Sequence, residues 1–142
     1  MRALLAGLAV LLLPLVGCGS TATAASGTIE FGLSQSHHVV MHPTSSFGPD
    51  DTFAYVARIR SAHAIPAHSE IREYYVRVSG NGSEQPVMND SFRLNIPVTR
   101  FVTLSGITVA MLYRVGFTAP GTYRVRLVHG NEKIAEGTFS LH

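Results

Sequence analysis

From Thr28 to the C-terminus, apolar and polar positions alternate with a period of two, and turn residues break the alternation at short intervals. Thr28 to Leu33 sets Ile29, Phe31 and Leu33 against Thr28, Glu30 and Gly32, the pattern of a strand with one buried face. Gln35 to His42 reads as a second extended piece ahead of Pro43. Phe47-Gly48-Pro49-Asp50-Asp51 is a turn, and Thr52 to Arg60 a strand rich in β-formers: Phe53, Tyr55, Val56 and Ile59. After a loop containing Pro66, Ile71 to Ser79 places Tyr74, Val76 and Val78 on one face and Arg77 and Ser79 on the other, and Gly80-Asn81-Gly82 closes it. Glu84 to Asn95 is expected to hold a short edge strand, because Pro86 and Pro97 cannot donate ladder hydrogen bonds. Phe101 to Leu104 and Ile107 to Phe117 follow, the second apolar on both faces as a central strand would be. Ala119-Pro120-Gly121 turns the chain. Tyr123, Val125 and Leu127 are then expected inside, with Arg124 and Arg126 outside, and His129-Gly130-Asn131-Glu132 makes a hairpin into Lys133 to Leu141.

About seven to nine short strands joined by turns, without a helical stripe, predict an all-β domain over residues 28–142, folded as an antiparallel β-sandwich. The stretch Pro120-Gly121-Thr122-Tyr123-Arg124-Val125-Arg126-Leu127, followed by a tight turn and Ile134 to Leu141, resembles the last two strands of bacterial immunoglobulin-like domains. Phe47 to Ile59 is similar to the turn and second strand of such extracytoplasmic domains. The resemblance implies that Tyr123 caps a corner of the sandwich. The paired cysteines and buried tryptophan of antibody domains are missing from the sequence.

Met1-Arg2 followed by the apolar run Ala3 to Val16, 14 residues long, has the form of a helical signal peptide, too short to cross a bilayer. The run ends in Leu15-Val16-Gly17-Cys18, which resembles the lipobox of bacterial lipoproteins. That resemblance implies cleavage between Gly17 and Cys18, a diacylglycerol on the Cys18 sulfur with an acyl chain on its amino group, and an extracytoplasmic protein held on the cell membrane or outer membrane. Residues 1–17 are then the signal peptide, 18–27 the lipidated cysteine and a tether of small residues, and 28–142 the domain. Cys18 is the sole cysteine, so the chain cannot form an internal disulfide and its stability must come from a packed core.

Eleven basic and nine acidic residues leave the chain near neutrality, and the basic patch that nucleic acid requires is not evident. The sequence offers little to catalysis. No serine stands in a Gly-x-Ser-x-Gly or Ser-x-x-Lys setting, Asp50 and Asp51 read as turn residues, and Glu70 and Glu73 are three apart at a strand entrance. The expectation is a non-enzymatic binding or accessory module of the envelope, without a cofactor, whose partners are the membrane and another envelope or surface protein. Seven histidines are the one feature above background, three of them in His37-His38-Val39-Val40-Met41-His42. Imidazoles beside a methionine suit copper, so the alternative is a small metal-handling lipoprotein using His37, His38, Met41 and His42. In a strand, however, His38 and His42 lie about 13 Å apart. A carbohydrate-binding surface is a third reading: Tyr74 and Tyr75 are adjacent, so in a strand one of them must face outward.

Overall fold

The computed structural model describes residues 26–142. The expected signal peptide, its cleavage site, Cys18 and the tether as far as residue 25 lie outside the described residues. The described chain runs β1 (Gly27–Ser36), β2 (Val39–Pro43), β3 (Ser46–Phe47), β4 (Thr52–Arg58), β5 (Glu70–Val78), β6 (Glu84–Arg93), β7 (Phe101–Thr108), α1 (Val109–Arg114), β8 (Gly121–His129) and β9 (Glu132–Leu141). Hydrogen bonding follows the order β6-β5-β8-β9-β1-β4-β7, with β2 on β1 and β3 on β9. β1 joins two layers. At Gly27 and Thr28 it lies parallel to Ala135 and Glu136 of β9, and from Thr28 to Gly32 it runs antiparallel to β4. Further along β9 the same role passes to β3, parallel at Ser46 and Phe47. One edge of β9 carries β8 and the other is covered in turn by β1 and β3, so the strand edges left open along the path are those of β6 and β7.

The core between the layers is aromatic. Phe53 and Phe139 lie 4.7 Å apart between ring centroids, Phe47 and Phe53 5.1 Å, and Phe117 and Tyr123 4.8 Å. All five are buried, with Val125, Leu127, Ile134 and Leu141 filling the space between them. Gly137 exists for this packing: a Cβ there would stand 2.7 Å from Ile29 Cβ and 2.8 Å from the Phe31 ring. Among the described residues the core runs from Ile29 to Leu141 as one continuous cluster between the layers.

Tyr123, Val125 and Leu127 are fully buried, as alternation predicts. Tyr123 also caps the corner: its hydroxyl accepts from the Thr118 N–H at 2.8 Å and donates to the Thr118 carbonyl at 2.7 Å. Three expectations need correction. Ile107 to Phe117 is not one central strand, because β7 ends at Thr108, where it meets the first residue of β4 and runs out of partner. The chain then coils into α1, burying Val109 and Leu112, three residues apart, while Met111 and Val115 face out. In β5, Tyr74, Val76 and Val78 share a face as the alternation has it, and that face is the outer one; Ile71, Glu73 and Tyr75 form the inner face. A glutamate inside breaks the apolar alternation, so residue type alone does not tell which face is the inner one. β6 is an edge strand as expected, but not a short one, spanning ten residues with Pro86 inside it. Arg124 and Arg126 are half-buried rather than exposed, for reasons described below. β1 starts at Gly27, one residue before the alternation that begins at Thr28.

Candidate binding surface

The His37 to His42 segment is a hairpin and not a continuous strand. Ser36 pairs with Val39, and His37 and His38 form the two-residue turn, with φ of +49° and +62°. Positive φ at both central positions is what a right-twisted hairpin demands, and His tolerates it better than most residues. The hairpin folds back over the outer side of β4 and β7. The Thr52 hydroxyl donates to the Leu33 carbonyl, Val40 is buried together with the outward-facing Ala54 and Val56, and the His38 ring stacks on Phe101 at 5.4 Å. The Arg58 guanidinium lies over the same Phe101 ring. His37 Nδ1 is hydrogen-bonded to Ser36 Oγ at 2.9 Å. His42, with Met41 beside it, stands exposed on β2. The four residues of the expected copper set are therefore spread over a turn and a strand. Among the described residues no three His, Cys, Asp or Glu side chains converge as a metal site would require.

The acidic groups are engaged with the scaffold. Glu73, on the inner face of β5, is 5% exposed and accepts from the Tyr55 hydroxyl. Burial raises its carboxyl above the ordinary range; the Tyr55 and Tyr75 phenols draw it back in part, and Asp90 across the ladder adds to the rise. The same burial, with Glu73 alongside, pushes the Tyr55 and Tyr75 phenols well up. On the outer face, Glu84 of β6 reaches over β5 to Arg124 at 2.5 Å and to Arg126 at 2.6 Å, and Arg126 Nε binds Glu136 at 2.7 Å. Val76, the ladder partner of Arg124 and Pro86, is buried on this outer face. The hydrogen bond from Arg126 lowers the Glu84 carboxyl. Burial acts to raise Glu136, and hydrogen bonds from Arg126 and Lys133 overcome it, so that group is lowered too. Alternation correctly sent the arginines outward. The cross-strand carboxylates that half-bury them are distant in sequence, so no local signal announced them.

The open side is the β5–β6 face. β6 bonds to β5 alone, and beside it runs a polar cleft of about 310 Å³ lined by Glu70, Arg72, Tyr74, Asn89, Asp90 and Ser91. Tyr74 is the tyrosine of the pair that faces out, with the Arg72 guanidinium 5.7 Å over its ring. Arg72 also donates to the Gly130 carbonyl in the β8–β9 turn, which pins it at one end of the cleft. Of this lining the sequence points to Glu70 and to an outward tyrosine but not to the cleft itself, which comes from two strands in register: Arg72 opposite Ser91 and Tyr74 opposite Asn89.

Strand order, two layers joined by β1 and the Tyr123 corner together define the architecture. The chain is an immunoglobulin-like β-sandwich. Among solved structures it is similar to an immunoglobulin-like protein from Pseudomonas aeruginosa, at 14% identity and a TM-score of 0.48, covering 80% of this chain and 91% of that one. No protein-family model matches the chain, and no curated protein matches it in sequence.

Proposed function

We propose that this immunoglobulin-like domain is a lipid-anchored, extracytoplasmic module of the bacterial envelope that works by binding rather than catalysis, and that it takes a partner protein along the free edge of β6. The observation that carries the reading is the edge itself. Ten residues, Glu84 to Arg93, are hydrogen-bonded on one side only, and six of them are exposed. An extended segment of a partner laid along this edge would satisfy the outward N–H and C=O groups, and its alternate side chains would enter the cleft beside it. Glu70, Arg72 and Asp90 favour a segment that carries both signs of charge. The non-catalytic reading is supported by the carboxylates: Glu73 is enclosed beneath Tyr55, Glu84 and Glu136 are held by arginines, and Asp51 Oδ2 accepts from the Gly48 N–H in its turn. The anchor is supported by Leu15-Val16-Gly17-Cys18 and by Cys18 being the sole cysteine.

A photoreactive side chain at Asn89 of the full chain, irradiated in intact cells, should give one discrete cross-linked species. Asp90→Pro and Ser91→Pro between them remove an outward N–H of the edge; the variant that spares the β5 ladder should keep its melting temperature and lose the adduct. No adduct from Asn89, or an adduct that survives both substitutions, defeats the edge proposal. Separately, Cys18→Ala should abolish palmitate labelling and leave the precursor uncleaved, and continued labelling would sink the anchor.

A further inference from the structure

Positive charge without a carboxylate partner collects at the end of the sandwich where the chain enters. Gly27 opens β1 so tightly packed that a Cβ would run into the carbonyl oxygens of Arg58 and Ile134 and stand 2.8 Å from the Arg60 nitrogen. At the same end the Ile59 N–H donates to the Arg100 carbonyl at 2.8 Å, and Arg58 pairs with Phe101. Arg93 closes β6 and lines a groove with Phe101. Arg58, Arg60, Arg93 and Arg100 are all exposed, and among the described residues none of them is ion-paired, whereas Arg124, Arg126 and Lys133 are. Three carboxylates lie near this group: Glu30, exposed on β1 two positions from Thr28, the ladder partner of Arg58, together with Glu132 and Glu70. Glu132 accepts from the Ser61 hydroxyl at 3.1 Å and the Ala62 N–H at 3.3 Å, and Glu70 is the ladder partner of Arg93. Beside the arginines, the loop between β6 and β7 carries Ile96, at 70% the most exposed large apolar side chain of the described domain.

We infer that this end is a docking surface for an anionic lipid bilayer, with Arg58, Arg60, Arg93 and Arg100 on the headgroups and Ile96 entering the interface. The occupant follows from chain length and charge. The inference rests on the lipid-anchor reading: Cys18 stands nine residues before Gly27, so an acylated Cys18 keeps Gly27 within about 30 Å of the bilayer at full extension. Nine residues with the span of a flexible chain, about 15–18 Å, would hold Gly27 between one and two Debye lengths from the bilayer at about 10 Å each, close enough for acidic lipid to draw the arginines in. Docked in this way, the strands rise from the membrane and the β6 edge stays open to a partner.

The test uses the segment 26–142, which carries the whole described fold and neither an acyl chain nor a cysteine, after its cooperative melt has been recorded. At low salt it should co-sediment with vesicles of phosphatidylcholine mixed with phosphatidylglycerol and not with phosphatidylcholine alone. Arg60→Gln with Arg100→Gln should weaken that binding about thirtyfold, at roughly fivefold per arginine, with an unchanged melt. Arg114→Gln, on α1, should leave it as it is. A polarity-sensitive fluorophore on Ile96→Cys should shift to the blue on the acidic vesicles, and one on Met111→Cys should not. Equal binding to both vesicle types, indifference to the double substitution, or a shift at position 111 and not at 96 overturns the surface. If the full chain still labels with palmitate at Cys18 in that case, the anchor reading stands. Conversely, lost labelling with the vesicle results intact removes the anchor and leaves the lipid-binding surface.

Discussion

The Tyr123 corner allows one oxygen atom to be weighed. In Tyr123→Phe the ring keeps its place beside Phe117 and Phe139, at centroid separations of 4.8 and 5.5 Å, so apolar packing is nearly unchanged. What disappears is a hydroxyl that accepts from the Thr118 N–H at 2.8 Å and donates to the Thr118 carbonyl at 2.7 Å. Each such bond contributes about 0.5–1.5 kcal/mol net, and the backbone groups left behind are only part-buried, so water recovers some of the loss. The expected cost is about 1–2 kcal/mol, read as a lower urea midpoint at constant m and as a melting temperature lower by roughly 4–8 °C. Tyr113→Phe, on the half-buried face of α1, is the control and should stay within about 0.5 kcal/mol of the parent. If Tyr123→Phe costs no more than Tyr113→Phe, the corner does not hold the loop before β8, and the argument from its geometry fails.

Leu127→Ala should cost about 3 kcal/mol, because a fully buried side chain leaves a cavity, whereas Arg126→Ala should cost about 1 kcal/mol for a half-exposed ion-pair network; the reverse order in denaturant melts would mean the β8 register is wrong. Glu73, raised above its unfolded value by burial, contributes stability that is full below the unfolded carboxylate range and is lost as pH rises through the folded value. Glu84 and Glu136, lowered by their arginine and lysine partners, contribute stability that is lost as pH falls. Melts across pH should therefore show Glu73→Gln losing the decline on the rising side alone, and an unaltered profile would contradict the assignment. Stoichiometric copper should leave the melt of the segment 26–142 unshifted. Native-state binding at a thousand times the dissociation constant would add about 4 kcal/mol, so a large rise that vanishes in both His38→Ala and His42→Ala would promote the metal-handling alternative.

Period-two alternation, read from the sequence alone, determined the all-β class, the strands carrying Ile29, Phe53 and Val125, the Gly130-Asn131 hairpin and the burial of Tyr123, because each depends on residues close together in the chain. The apolar run and the four-residue motif ending in Cys18, the sole cysteine, are likewise local, and the anchor proposal rests on them. Tertiary structure decided the rest. The chain leaves the β-pattern at Val109 only because β4 offers no partner beyond Thr52, which apolar residues on both faces cannot reveal. Glu73 turns inward where the Tyr55 phenol, eighteen residues away, meets its carboxylate, so residue type alone could not say which face of β5 is buried. The histidine motif was visible in the sequence, but its role as a positive-φ turn folded over β4 and β7 was not, since His38 stacks on a ring sixty-three positions later. The β6 edge and the arginine end have the same origin. An open edge is defined by the strands that fail to cover it, and a charged surface by side chains gathered from separate strands and loops, so neither is written in any local run of residues.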